Sequence, residues 1–230
     1  MATERARINP EETPVISELG ISIAEQVKRL AGFGLHRVAY PYESITDEEA
    51  KRRYSEDFVL PEGAKQPENY RNRFDTPVVV DPRVDSRTLL ALLPRVKIEA
   101  PIDISKIANL RGVSGRNYLI WTNNGRMRHY FSVGEATGRF SKDQIGSTLS
   151  EVIAIFLQHP EYFEGRGIIA AGSRYEDGNR NILTPFVSNL NDSVNIGAIA
   201  EYDPIRPGWG VSSRGKEIIK FKSVSGKATW

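Results

Sequence analysis

Apolar residues at Ile16, Leu19, Ile23, Val27, Leu30 and Ala31 recur in steps of three and four, the spacing of one helix face, and predict a helix over residues 16–33. Gly32 and Gly34 supply its stop. A second helix is marked by Ile145, Leu149, Val152, Ile153, Phe156 and Leu157, a continuous apolar stripe read as core-facing. Ser141 and Gln144 stand ahead of it at capping-box spacing, and His159-Pro160 ends it, because proline cannot continue the hydrogen-bond ladder. The expected span of this helix is 141–158.

Between the two helices the pattern changes character. Residues 40–77 are the most polar stretch of the chain, with Thr46 and Glu49 at capping-box spacing for a short helix over 47–57. The remainder, with Pro61, Gly63, Pro67 and the charged run 68–73, reads as an irregular arm. Pro77-Val78-Val79-Val80 is a short β-branched run, 86–93 reads as helical turns, and 98–104 as a strand around Pro101. Residues 117–121 and 126–133 flank Thr122-Asn123-Asn124-Gly125, whose Asn-Gly pair signals a hairpin. Beyond the second helix four strands are predicted, at 167–171, 182–190, 194–202 and 211–221. Gly178-Asn179, Asn191-Asp192 and Pro207-Gly208 mark the turns between them.

Helices concentrated early and strands late predict an α+β fold, mainly an antiparallel sheet in the C-terminal half packed against the amphipathic helix. The expected organisation is a helical and irregular region over residues 1–75, comprising tail, helix and polar arm, and a main domain over 76–230. A chain of 230 residues suits one sizeable domain with such an appendage.

Composition then narrows the chemistry. Absence of cysteine removes disulfide scaffolds, thiolate metal sites and cysteine nucleophiles, and fits a reducing compartment. Residues 1–14 lack the apolar core of a signal peptide, and no window approaches the roughly 18 apolar residues of a spanning helix. The expected address is cytoplasmic, with no membrane partner. A formal charge of +2 with acids and bases interspersed gives no concentrated basic surface, so nucleic acid is a disfavoured partner.

Three arginines sit beside glycine or serine in predicted loops: Gly138-Arg139, Gly172-Ser173-Arg174 and Ser212-Ser213-Arg214-Gly215. Glycine admits close approach of the backbone, serine donates hydrogen bonds, and guanidinium grips phosphate or carboxylate with two parallel bonds. Converging, Arg139, Ser173, Arg174 and Arg214 would bind an anionic small molecule. The structural alternative, a strand-end turn whose arginine pairs with Glu176 or Asp177, is the favoured one.

Other residues point less clearly to chemistry. His36, His129 and His159 form no pair at metal-ligand spacing, so no metal site is expected. Asp81 with Asp85, and Glu99 with Asp103, have a spacing compatible with magnesium, but turn capping is the favoured role of Asp81. Glu201, Asp203 and Lys216 lack compact nuclease spacing. Neither a Gly-x-x-x-x-Gly-Lys-Ser/Thr nor a Gly-x-Gly-x-x-Gly signature is present, which leaves any cofactor unspecified. Tyr118, Trp121, Tyr130 and Phe131 interleave with Arg116, Arg126 and Arg128, a pattern able to stack single-stranded bases but more often plain strand alternation.

Ala100-Pro101-Ile102-Asp103, Gly138-Arg139-Phe140-Ser141, His159-Pro160-Glu161, Gly172-Ser173-Arg174 and Ile196-Gly197 follow one another in an order that resembles a family of uncharacterised bacterial proteins, a domain of unknown function. That family carries an Ala-Pro-Tyr segment, a Gly-Arg-Ser-Pro-Leu-Thr helix start, a Pro-Glu after the helix and a Gly-Ser-Arg turn. The resemblance covers about residues 100–215. The chain departs from it at Ile102, where the family has tyrosine, and at Phe140-Ser141-Lys142, where it has Ser-Pro-Leu. The likeness implies no activity and draws attention to Arg139 and Arg174.

The leading expectation is a binding domain that takes an anionic small molecule or a protein segment through its loop arginines. Two rivals stand beside it: a nucleic-acid-binding protein or nuclease, and a structural or assembly subunit, with a homo-oligomer left open, whose polar arm wraps a neighbour.

Overall fold

The computed structural model describes residues 15–41, 44–93, 95–99, 102–110, 115–123, 125, 131–190 and 193–222. Among them are six α-helices and eleven strands, in an α+β arrangement. The tail over 1–14, Pro101, the turn residues Asn124, Asn191 and Asp192, and residues 126–130 of the expected hairpin lie outside the described residues.

Helix α1 (Val15–Gly32) buries Ile23, Val27, Leu30 and Ala31, the face its periodicity marks. Its stop is Gly34, in the left-handed region at φ 89°, which also begins a short helix α2 (Leu35–Ala39) that the periodicity does not announce. Helix α3 (Asp47–Glu56) starts at Thr46, whose hydroxyl accepts from the Glu49 amide at 3.2 Å. Asp47 is bound by the His36 ring at 2.8 Å, Arg37 at 3.0 Å and Lys51 at 2.6 Å, and these hydrogen bonds, that of Lys51 foremost, hold its carboxyl far below the usual range.

The polar arm is folded onto the chain's own core. Tyr54, Phe58, Tyr70 and Phe74 are buried, and they join one apolar cluster with Val78, Leu119 and Ile153. The Tyr70 hydroxyl accepts from the Glu217 amide at 2.9 Å. Few of these residues show regular periodicity, because single aromatics between turns anchor the segment.

The sheet runs in the order β1 (Thr76–Val80), β4 (Tyr118–Thr122), β10 (Gly210–Gly215), β6 (Gly167–Ala170), β8 (Ile182–Leu190), β7 (Ser173–Glu176) and β3 (Ala108–Asn109). Off this path, β9 (Ser193–Ala200) pairs with β8 and with β2 (Val96–Ile98), β5 (Gln144–Gly146) pairs with β10, and β11 (Ile219–Lys220) pairs with β4. Most pairs are antiparallel; β10 with β6 and β2 with β9 are parallel. The expected strand over 211–221 is broken, since Lys216–Ile218 separate β10 from β11. Strand β1 lies at one end of the sheet, and its free edge is closed by side chains. The Val79 amide donates to the Gln26 and Gln158 Oε1 atoms at 3.1 and 3.0 Å, and Gln158 Nε2 donates back to the Val79 carbonyl at 2.8 Å.

Alternation along β6 divides the interior. Ile168 and Ala170 face the large core beneath α1, α4 (Ser86–Ala91) and α6 (Leu149–Gln158), whereas Ile169 and Ala171 join a smaller cluster with Val133, Ala136, Phe186 and Val211. Helix α5 (Val133–Gly138), N-capped by Ser132, covers this second side.

The helix expected over 141–158 is corrected. Helix α6 is Leu149–Gln158, and its capping box is Thr148 with Glu151: the Glu151 amide donates to Thr148 Oγ1 at 3.3 Å and the Thr148 amide to Glu151 Oε2 at 2.8 Å. Ser141 and Gln144 close a single turn instead, with Gln144 N donating to Ser141 O at 3.0 Å. Ile145 is then drawn into the sheet opposite Arg214. Pairing with β10 satisfies backbone groups and still buries Ile145, so it wins over continuation of the apolar stripe. Replacing Thr148 by alanine is therefore expected to cost about 1 kcal/mol in urea unfolding. Ser141→Ala removes no helix cap.

Candidate binding cavity

A cavity of about 310 Å³ opens between the two cores. Its floor is Glu151, Tyr118 and Arg214; its walls include Gly146, Gly172 and Arg174. The end of α5 and the turn after it contribute Phe140 and Ser141, while Leu110, over half exposed, stands at the mouth.

The two glycines make this wall thin. Backbones of Gly146 and Gly172 cross so closely that a Cβ on Gly172 would stand 2.3 Å from the Gly146 carbonyl oxygen, and one on Gly146 only 2.4 Å from the Ala171 carbonyl carbon. The Gly172 amide donates to Ser147 O at 2.8 Å across this crossing.

Arg214 lies in the fully buried strand β10, not in the loop expected from its Ser-Ser-Arg-Gly setting. Antiparallel register places it opposite both Thr122 and Ile145, which fixes its side chain over the cavity floor. Its Nε stands 2.8 Å from Glu151 Oε1, an ion pair by distance; it lies off the N–H axis, so that N–H is not hydrogen-bonded. Nη1 donates to the Gly215 carbonyl at 2.9 Å. Glu151 is 1% exposed and also accepts from the Tyr118 hydroxyl at 3.2 Å. Burial, then the neighbouring carboxylate, pushes the Tyr118 hydroxyl far above its ordinary value, so it stays a donor at any working pH.

Arg174, on β7, is held by its own strand. Nη1 donates to the Ala171 and Ser173 carbonyls at 3.2 and 3.1 Å and to Thr184 Oγ1 at 3.1 Å. Its acidic neighbour is Glu201, 4.0 Å from Nη2, and not the Glu176 or Asp177 expected from sequence proximity. Asp177 accepts from the Asn179 and Asn181 amides and closes its own turn.

Of the four residues singled out in the sequence, Arg174 and Arg214 line the cavity. Ser173 lies buried behind its wall, where Oγ accepts from the Leu149 amide at 2.8 Å and donates to Asn109 Oδ1 at 2.7 Å. Arg139 ends α5 outside the cavity and pairs with Glu135 at 2.6 Å. Glu151 was missed, although it had a readable signal, an acid three residues after Thr148 inside an apolar stripe. Tyr118 was noted only among aromatics able to stack bases, and nothing in the sequence ties it to this cavity.

Asp81, Asp85 and Asp103, three of the other candidate acids, have structural partners. Arg83 binds both oxygens of Asp81, at 2.9 and 2.8 Å, and reaches Asp57 at 2.6 Å. Asp85 and Asp103 cap short helical turns at Thr88 and Ser105. Among the described residues no group of three or more His, Asp or Glu is placed to hold a metal ion, and no helix is long and apolar enough to cross a membrane. His129 lies outside the described residues with Arg126, Arg128 and Tyr130.

Comparisons with protein-family models, with curated proteins and with solved structures find no match to the chain. What the cavity can hold must therefore follow from its own walls.

Proposed function

We propose that the chain is a binding domain whose cavity takes an anionic small molecule between Arg174 and Arg214. The observation that carries this reading is the presence of two guanidinium groups from different strands on one cavity. Strand register sets Arg214, and three hydrogen bonds from Nη1 set Arg174. Preorganised guanidiniums lose little side-chain entropy when an anion docks, which favours binding over a mobile surface arginine. Enclosure strengthens the contact by lowering the local dielectric.

A thermal-shift screen of small carboxylates and phosphates tests the reading. A ligand at one hundred times its dissociation constant adds about 2.7 kcal/mol and raises the midpoint by about 5–10 °C for a chain of this length. Arg174→Ala is expected to weaken the responding ligand at least tenfold in titration calorimetry. Equal affinity in wild type and variant would overturn the proposal.

A further inference from the structure

Resting on the anionic-ligand reading, we infer that the ligand is a monocarboxylate with a compact apolar body, and not a phosphate. Charge is the first reason. The residues lining the cavity carry two positive charges, Arg174 and Arg214, and one negative, Glu151, which stands 2.8 Å from Arg214. The surplus is one positive charge, while Glu201, 4.0 Å from Arg174, lies outside the lining. A phosphate monoester carries about −1.5 to −2 at neutral pH and would leave negative charge uncompensated in a partly enclosed site.

Backbone chemistry is the second. Phosphate sites commonly rely on free amides at a helix N-terminus. Helix α6 begins at the cavity, but the Thr148 and Glu151 amides are taken by its capping box and the Leu149 amide by Ser173 Oγ. The Gly172 amide is bound to Ser147 O. No lysine lines the cavity. What remains is guanidinium chemistry, which fits the two oxygens of a carboxylate.

The walls supply the third reason. Leu110, Phe140, Ile145, Ala171 and Ile218 face the space and need an apolar partner. At roughly 30 Å³ per water, the cavity corresponds to about ten waters, so its occupant has about ten heavy atoms. Aryl or short branched-chain carboxylates have this size.

The test is calorimetric titration of the full chain with phenylacetate, phenyl phosphate and inorganic phosphate, at fixed ionic strength. Phenylacetate binding at least tenfold tighter than either phosphate, and weakened at least tenfold by Arg174→Ala, is the expected result. Because Arg174 also ties its strand, a second variant is included: Leu110→Glu sets a like charge at the exposed mouth and is expected to weaken phenylacetate severalfold without lowering the melting midpoint. Phosphates binding as tightly as phenylacetate, with the same loss in the variants, would overturn the carboxylate inference and leave the anionic cavity standing. Binding of none of the three, or binding that neither variant changes, would overturn both.

Discussion

Replacing Arg214 by methionine is expected to destabilise the fold by about 3–5 kcal/mol, the cost of leaving one member of a buried ion pair without its partner. Glu151 is the member left behind. It is 1% exposed and anchored by the Thr148 amide, and one long hydrogen bond from Tyr118 cannot balance its charge. At about 2–4 °C per kcal/mol for a chain of this length, the melting midpoint falls by about 6–20 °C. Urea unfolding checks the free energy directly. The double variant Glu151→Gln with Arg214→Met removes both charges and is expected to recover a substantial part of the loss. A single-variant cost below about 1 kcal/mol would mean that the pair is wet and that Arg214 is not held as the geometry requires.

Alanine at Gly172 is expected to cost at least about 3 kcal/mol, at the upper end for overpacking. Its Cβ would meet the Gly146 carbonyl oxygen at 2.3 Å and two further backbone carbons at 2.9 Å, and backbone in a paired strand cannot step aside as a flexible side chain can. Relief requires β5 and β7 to separate, which also displaces Arg174 from the cavity wall. Gly178→Ala is the matched control. Nothing lies within 4 Å of its Cβ, and a change of no more than about 0.5 kcal/mol is expected. Denaturant midpoints of the two variants, measured side by side, decide the matter.

How much of this was legible in the chain depends on the range of the interactions involved. Helix α1, the Thr46 start of α3 and strand β8 follow from local periodicity and capping, and each appears where the spacing puts it. Helix α6 kept its stripe from Leu149 onward but lost everything expected before it, about two turns, because the backbone of Gln144–Gly146 found partners in β10, far away in sequence. Gly-Ser-Arg and Ser-Ser-Arg-Gly looked like loops since small polar residues favour turns. In β10 the same residues are buried, with Ser212 bonded to Ser147 at 2.8 Å and Ser213 to Asn123 and Gln144 at 2.7 and 2.6 Å. A hydroxyl whose partner lies some 65–90 residues away carries no local sign of that partner. The cavity was half visible for the same reason: an arginine beside glycine can be noticed, whereas the pairing of Arg214 with Glu151 depends on sheet register.

The two glutamines along β1 have a consequence for assembly. An amide group offers one acceptor and two donors in a plane, much as a peptide unit does, and Gln26 with Gln158 occupies the very hydrogen-bonding positions that a neighbouring strand would take. Both are almost fully buried, so this margin of the sheet is sealed from inside the molecule. A second copy seeking to continue the sheet there would have to expel two packed side chains before forming its first backbone bond. At β1 the protein thus ends its sheet with side chains that imitate a strand, and a copy that continued the sheet would have to do so at another edge.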